Sequence, residues 1–183
     1  MKIRLAAEIQ SDSIVDGPGI RTVIWTQGCP HNCLGCHNPS THDFSLGALF
    51  DVDEIKSMID DLVFQDGITF SGGDPMCQAG ACYEIAKYAI SKGLNIWCYT
   101  GYTYEQLLEM GKKNKSIMNF LSCIDVLVDG KFMIEFKSLD CNYRGSTNQR
   151  LIDVKKSLSC SNVCLWEERT GIISFRKNKY LYV

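Results

Sequence analysis

The chain has 183 residues, 45% of them hydrophobic and 22% charged, with a formal net charge of -2. This is an ordinary globular composition, long enough for one domain with a proper core, and with no basic surplus to neutralise phosphates it excludes a general nucleic-acid binder. The opening MKIRLAAEIQSDSIVDGPG lacks the sustained apolar segment of a secretion signal and no later run approaches membrane-spanning length, so the expected location is the cytoplasm, with no membrane partner.

Taken in chain order, RTVIWTQ, residues 21–27, is rich in β-branched and aromatic residues and predicts a strand running into a cysteine-rich loop. Residues 51–64 place Val52, Ile55, Met58, Ile59, Leu62 and Val63 on one helical face, with acidic residues in the first turn. GITFSGGDP predicts a short strand over 67–71 that ends abruptly in glycines. Residues 78–92 carry Cys82, Ile85, Ala86, Ala89 and Ile90 at helical spacing, with Gly93 as the stop. LNIWCYTG is a third strand-to-glycine unit, followed by helical segments around YTYEQLLEM and SIMNFLS that break near Gly111 and Asn114. IDVLVDG, residues 124–130, is a fourth strand whose unbroken apolar centre suits burial on both faces. After about residue 138 the pattern turns polar. GIISFRKNKYLYV predicts a terminal β-hairpin turning near Asn178 and Lys179. Residues 154–183 are expected as a C-terminal tail on a single domain spanning 1–183.

Strands alternating with helices predict an α/β fold with a parallel sheet and right-handed crossovers. Ligands of such sheets gather at the carboxyl ends of the strands. The cysteine loop, SGGDP, YTGY and DGKF all fall at those ends.

Ten cysteines in a chain without a secretion signal argue for reduced thiols and a metal site rather than a disulfide framework. Cys82, Cys98 and Cys123 sit in apolar patterns and are expected to pack as small hydrophobes. Cys29, Cys33 and Cys36, in GCPHNCLGCHN, have the spacing C-x-x-x-C-x-x-C. Three thiolates from one tight loop can face a single iron–sulfur cluster and leave one iron of a cubane open to a substrate. On spacing alone, structural zinc is a serious competitor, with His31, His37 or His42 as fourth ligand. Cys160 and Cys164 match one helical turn but have no third thiol beside them, and no role is assigned to them. SGGDP, taken alone, is a turn after a strand.

Taken together, VDGPGIRTVIWTQGCPHNCLGCHNPSTHD, SGGDP, VLVDGKF and YRGSTNQRLIDV resemble radical S-adenosylmethionine enzymes, specifically the activases of glycyl-radical enzymes, over roughly residues 10–154. The resemblance implies an incomplete (β/α) barrel of mostly parallel strands. It implies a [4Fe-4S] cluster on Cys29, Cys33 and Cys36, with the amino and carboxylate groups of S-adenosylmethionine on the open iron. Gly35, Cys36 and His37 would border the adenosyl part, and Gly72, Gly73 and Asp74 the methionyl part, Asp74 meeting the cationic amino group. His37 stands where relatives often have an aromatic residue, and Asp74 where much of the superfamily has glutamate. One electron from the cluster would cleave the sulfonium to methionine and a 5'-deoxyadenosyl radical, which takes an α-hydrogen from a glycine of a large partner. The later segments imply that this partner is the large anaerobic ribonucleotide reductase subunit, with reduced flavodoxin as electron donor. Pyruvate formate-lyase is the alternative partner, and a non-catalytic zinc-binding interaction module the alternative from another class. GPGIR, residues 17–21, is a turn that the resemblance would bring near the active site. Asp129 and Lys131 are either cofactor or peptide contacts, or a solvated pair at a strand end.

Overall fold

A computed structural model describes residues 1–167. Its centre is a mixed sheet in the order β4-β1-β3-β5-β6-β7-β8, with β2 alongside β3. β3 (Arg21–Thr26), β5 (Gly67–Gly72), β6 (Asn95–Tyr99) and β7 (Val126–Asp129) form a parallel core. Short antiparallel strands flank it. β1 (Lys2–Leu5) pairs with β3 and with β4 (Ala48–Asp51), β2 (Gln10–Ser13) pairs with β3, and β8 (Arg150–Asp153) pairs with β7. The expected α/β architecture with a mostly parallel central sheet is therefore present. Among the described residues, no pairing joins β4 to β8.

Alternation along each strand divides the interior in two. Ile24, Ile68, Phe70, Ile96, Cys98 and Leu127 point to the face covered by α1 (Val52–Asp60), α2 (Ala79–Ser91), α3 (Tyr104–Lys113) and α4 (Lys115–Cys123), where the main core forms. Arg21, Trp97, Val126 and Val128 belong to the opposite face, on which Tyr143 and Trp166 pack. The buried Arg21 of GPGIR is an internal brace rather than an open loop residue. Its Nε donates to Thr69 Oγ at 2.7 Å and its Nη1 to Pro18 O at 3.2 Å, and burial pulls its pKa down to about 10. Thr69 in turn donates to Asp16 O at 2.8 Å, so the turn before β3 is fastened to β5.

α1 is shorter than its apolar pattern, ending at Asp60. Asp60 and Asp61 at its carboxyl end oppose the helix dipole, and Phe64 turns left-handed at φ 66°. Val63 beyond the helix end consequently stays exposed, and Met58 is exposed within the helix itself. Cys82, Cys98 and Cys123 are buried, as their apolar settings predict. The start of the expected tail is built into the domain: α5 (Val154–Cys160) begins with the fully buried Val154, whose N–H donates to Asp125 O at 3.1 Å. The expected hairpin near Asn178 and Lys179 lies outside the described residues.

Candidate metal centre

Four strand ends converge on a cavity of about 670 Å³ at the carboxyl edge of the parallel core. Gly72 and Gly73 come from the end of β5, Tyr99, Thr100 and Gly101 from β6, and Gly130 from β7. Cys29, Cys33 and Cys36, all half-buried, line the same cavity from the loop after β3, together with His31, His37 and His42. Burial pushes the Cys29 and Cys33 thiols up, and Lys131 opposes it only in part at Cys33.

The cysteine loop is fixed at both ends by main-chain hydrogen bonds. Gly28 N donates to Thr41 O at 2.8 Å and Cys29 N to His42 O at 3.1 Å. Across the strand gap, Gly73 N donates to Thr26 O at 2.6 Å and Asp74 N to Gly28 O at 2.8 Å. That clasp explains one glycine: a Cβ on Gly73 would stand 2.4 Å from Gly28 O, so the residue must be bare for the two strand ends to meet. The resemblance implies that Gly73 borders the methionyl part; the nearest constraint at this residue is its approach to the neighbouring strand end.

Asp74 does not line the cavity. It is fully buried beneath it, and its carboxylate is committed to internal donors. Met76 N donates to Oδ1 at 3.0 Å, Gly101 N to Oδ2 at 3.0 Å, and Thr100 Oγ lies at 3.0 and 2.9 Å from the two oxygens. His31 Nε2 is 2.7 Å from Oδ2, and its ring stands edge-on to Tyr102. One side chain thus ties the ends of β5 and β6 to the cysteine loop. Gly101 permits this, because a Cβ there would sit 2.3 Å from His31 Cδ2. Gly35 is also outside the cavity lining; a Cβ there would meet Ile134 at 2.8 Å. His37 lines the cavity and packs on Phe132, ring centroids 4.9 Å apart.

Asp129 is likewise an internal joint, 1% exposed. Arg150 Nε donates to it at 3.0 Å, and Tyr104 N, at the first turn of α3, donates to it at 2.8 Å. Arg150 reaches on to Glu105 with bonds of 3.0 and 2.8 Å, which holds the Glu105 carboxyl down at about 2 and raises the guanidinium.

Sequence reasoning missed the far wall. The segment 139–149 contributes Cys141, Tyr143, Arg144 and Gln149 to the cavity lining, and Asp16 and Trp25 line it as well. Tyr99 Oη donates to Tyr143 O at 2.9 Å, and Gln149 gathers Gly145 N at 3.0 Å and donates to Gly130 O at 3.0 Å. The only signal for this wall was the quoted YRGSTNQR run, whose polar residues pair with main chain rather than form a regular element.

A family model described as a 4Fe-4S single cluster domain matches residues 15–152. The anaerobic ribonucleoside-triphosphate reductase-activating protein of Escherichia coli (strain K12) is 37% identical over 145 residues, covering 74% of this chain and 90% of that protein. The chain belongs to this family. Within the activating-protein family, the protein of the same name from Salmonella typhi is 36% identical over 144 residues, covering 74% of this chain and 90% of that one. The one from enterobacteria phage T4 is 33% identical over 144 residues, covering 75% and 86%.

The donor set fits a cluster better than a closed zinc tetrahedron. Three soft thiols share one cavity wall, while His31 has its Nε2 engaged by Asp74. His42 Nε2 is buried without a partner at the same cavity, a polar atom that a bound group would satisfy.

Proposed function

We propose that the chain is an activase that reductively cleaves S-adenosylmethionine at a [4Fe-4S] cluster. It uses the 5'-deoxyadenosyl radical to generate a glycyl radical on the large subunit of anaerobic ribonucleoside-triphosphate reductase. The observation that carries this reading is the shared cavity: three half-buried thiols from one loop face the glycine-rich ends of β5 and β6. Cys29, Cys33 and Cys36 would hold the cluster, which would supply the electron and a site for S-adenosylmethionine.

The chain's own residues do the rest. Gly72 and Gly73 present backbone to the methionyl part. Cys36 and His37 border the adenosyl part from the cavity wall, with Gly35 in the turn that carries them and the His37 ring backed by Phe132. Asp74 serves the methionyl side from beneath, by holding His31, Thr100 and Gly101 in place. The segment 139–149 supplies part of the cavity wall that keeps water from the reacting groups. In this reading the sheet is an incomplete barrel whose open side admits the partner's glycine loop, and residues 1–183 form one domain working in the cytoplasm with reduced flavodoxin as donor. No helix among the described residues is long and apolar enough to cross a membrane.

Anaerobic reconstitution with iron and sulfide, followed by dithionite and S-adenosylmethionine, tests the proposal. The expected products are 5'-deoxyadenosine and methionine, lost in Cys33→Ala, together with a glycyl-radical signal when the reductase is present. Stoichiometric zinc without iron or sulfide after anaerobic purification would overturn the reading. A glycyl radical formed on pyruvate formate-lyase but not on the reductase would move the partner assignment.

A further inference from the structure

Two thiols that line no part of the cavity meet at the end of α5. The helix stops at Cys160, Ser161 turns left-handed at φ 57°, and Cys164 comes back beside it with the two Sγ atoms 3.2 Å apart. The turn is held from within. Cys164 N donates to the buried Ser157 Oγ at 2.9 Å, Ser157 Oγ donates to Asp153 O at 2.7 Å, and Asp153 N donates to Cys164 O at 2.9 Å. Beyond it Leu165 bridges Ile152, Trp166 N donates to Leu151 O at 2.8 Å, and the Trp166 ring stands edge-on to Trp97 at 5.2 Å. Both cysteines lie past the stretch matched by the family, residues 15–152.

We propose that Cys160 and Cys164 form a thiol–disulfide exchange site whose substrate is an accessible organic disulfide, Cys160 attacking and Cys164 resolving. Among the described residues, which hold all ten cysteines, only Cys77 and Cys160 are exposed, so Cys160 is one of two open to a bulky disulfide. Cys164 is half-buried, shielded from first attack yet in contact with the sulfur it must later displace. The difference in exposure, with the two sulfurs in contact, sorts the pair into attacker and reserve, and the hydrogen bond between them lowers the Cys160 thiol. Desolvation, with Asp74 adding to it, pushes Cys77 the other way, to about 12.

In the first step Cys160 releases its proton to solvent and its sulfur attacks one sulfur of R–S–S–R. The R–S–S–R bond breaks, a mixed disulfide forms on Cys160, and the departing thiolate is protonated by water. In the second, Cys164 loses its proton and attacks Cys160 Sγ, forming the Cys160–Cys164 bond and releasing the second thiolate. Two electrons pass from the chain to the organic disulfide, which leaves as two thiols. The closed ring then joins α5 covalently to the segment that carries Trp166.

The test uses the full-length, cluster-loaded chain under anaerobic conditions. It is treated with glutathione disulfide or, separately, with insulin as a protein disulfide, then alkylated and mapped by peptide mass. The expected product is the Cys160–Cys164 disulfide. Formation with glutathione disulfide alone identifies a small-molecule source, and formation with insulin alone a protein source; either outcome supports the site. Cys164→Ser should stop at a mixed disulfide on Cys160, and Cys160→Ser should slow capture at residue 164 by about tenfold or more. The proposal is overturned if neither disulfide gives the cross-link, or if Cys160 is captured no faster than Cys77.

Discussion

Replacing Asp74 with asparagine keeps the shape of the side chain and removes an acceptor where the fold needs one. The buried carboxylate receives Met76 N and Thr100 Oγ on one oxygen, and Gly101 N and His31 Nε2 on the other. An amide accepts on one side only, so either orientation turns its NH2 toward main-chain donors. Each buried donor left unpaired costs about 1–3 kcal/mol, and more where the lost acceptor was charged. Asp74→Asn is therefore expected to cost about 3–5 kcal/mol, the range for breaking a buried pair. Against a total stability of about 5–15 kcal/mol, that loss moves the denaturant midpoint far at unchanged slope. The assay is urea unfolding of the metal-free chain without S-adenosylmethionine, followed by circular dichroism, so no ligand contact contributes. A midpoint matching the parent to within about 0.5 kcal/mol would refute the positioning role. Asp74 would then return to direct contact with the cofactor, read as weaker S-adenosylmethionine binding at unchanged stability.

Gly101→Ala forces a Cβ to within 2.3 Å of the His31 ring. It is expected to lower stability by about 1–3 kcal/mol and to reduce S-adenosylmethionine cleavage, both measurable on one preparation. Glu105→Gln tests the Arg150 joint by pH. The Glu105 carboxyl is lowered from 4.5 to about 2 in the fold, so its contribution is complete above pH 4.5 and disappears as pH falls through about 2. With this side chain 56% exposed, the difference from the parent should stay below about 1 kcal/mol at neutral pH and shrink on acidification; a difference that grows toward pH 2 would contradict the assignment. Phe120→Ala, in the fully buried contact with Phe70, should cost about 3–5 kcal/mol by denaturant titration and leave cluster spectra of the surviving folded fraction unchanged.

The parallel core was legible because its strands are buried on both faces and end in glycines. β3, β5, β6 and β7 coincide closely with the runs at 21–27, 67–71, LNIWCYTG and 124–130. The flanking strands were not: β1, β2, β4 and β8 have four residues each, and QSDS and RLID carry too little alternation to stand out from loop. The three site cysteines were legible as a spacing, and the cavity brings them together. The part of Asp74 was not, since SGGDP says nothing of Thr100, Gly101 and His31 closing around it from other elements. Asp129 failed for the same reason: its partner Arg150 lies on β8, a strand the sequence pattern does not disclose.

The clasp around the cysteine loop bears on how the protein is matured and repaired. Main-chain bonds from Gly28, Cys29, Gly73 and Asp74, with the His31–Asp74 contact, anchor the loop to its own scaffold. Small metallo-domains that gain their fold from the ion itself collapse when it is lost. Here the loop has anchors of its own, and the expectation is different. Oxygen that strips the cluster should leave a folded apoprotein, and returning to anaerobic conditions requires delivery of iron and sulfide rather than new synthesis of the chain.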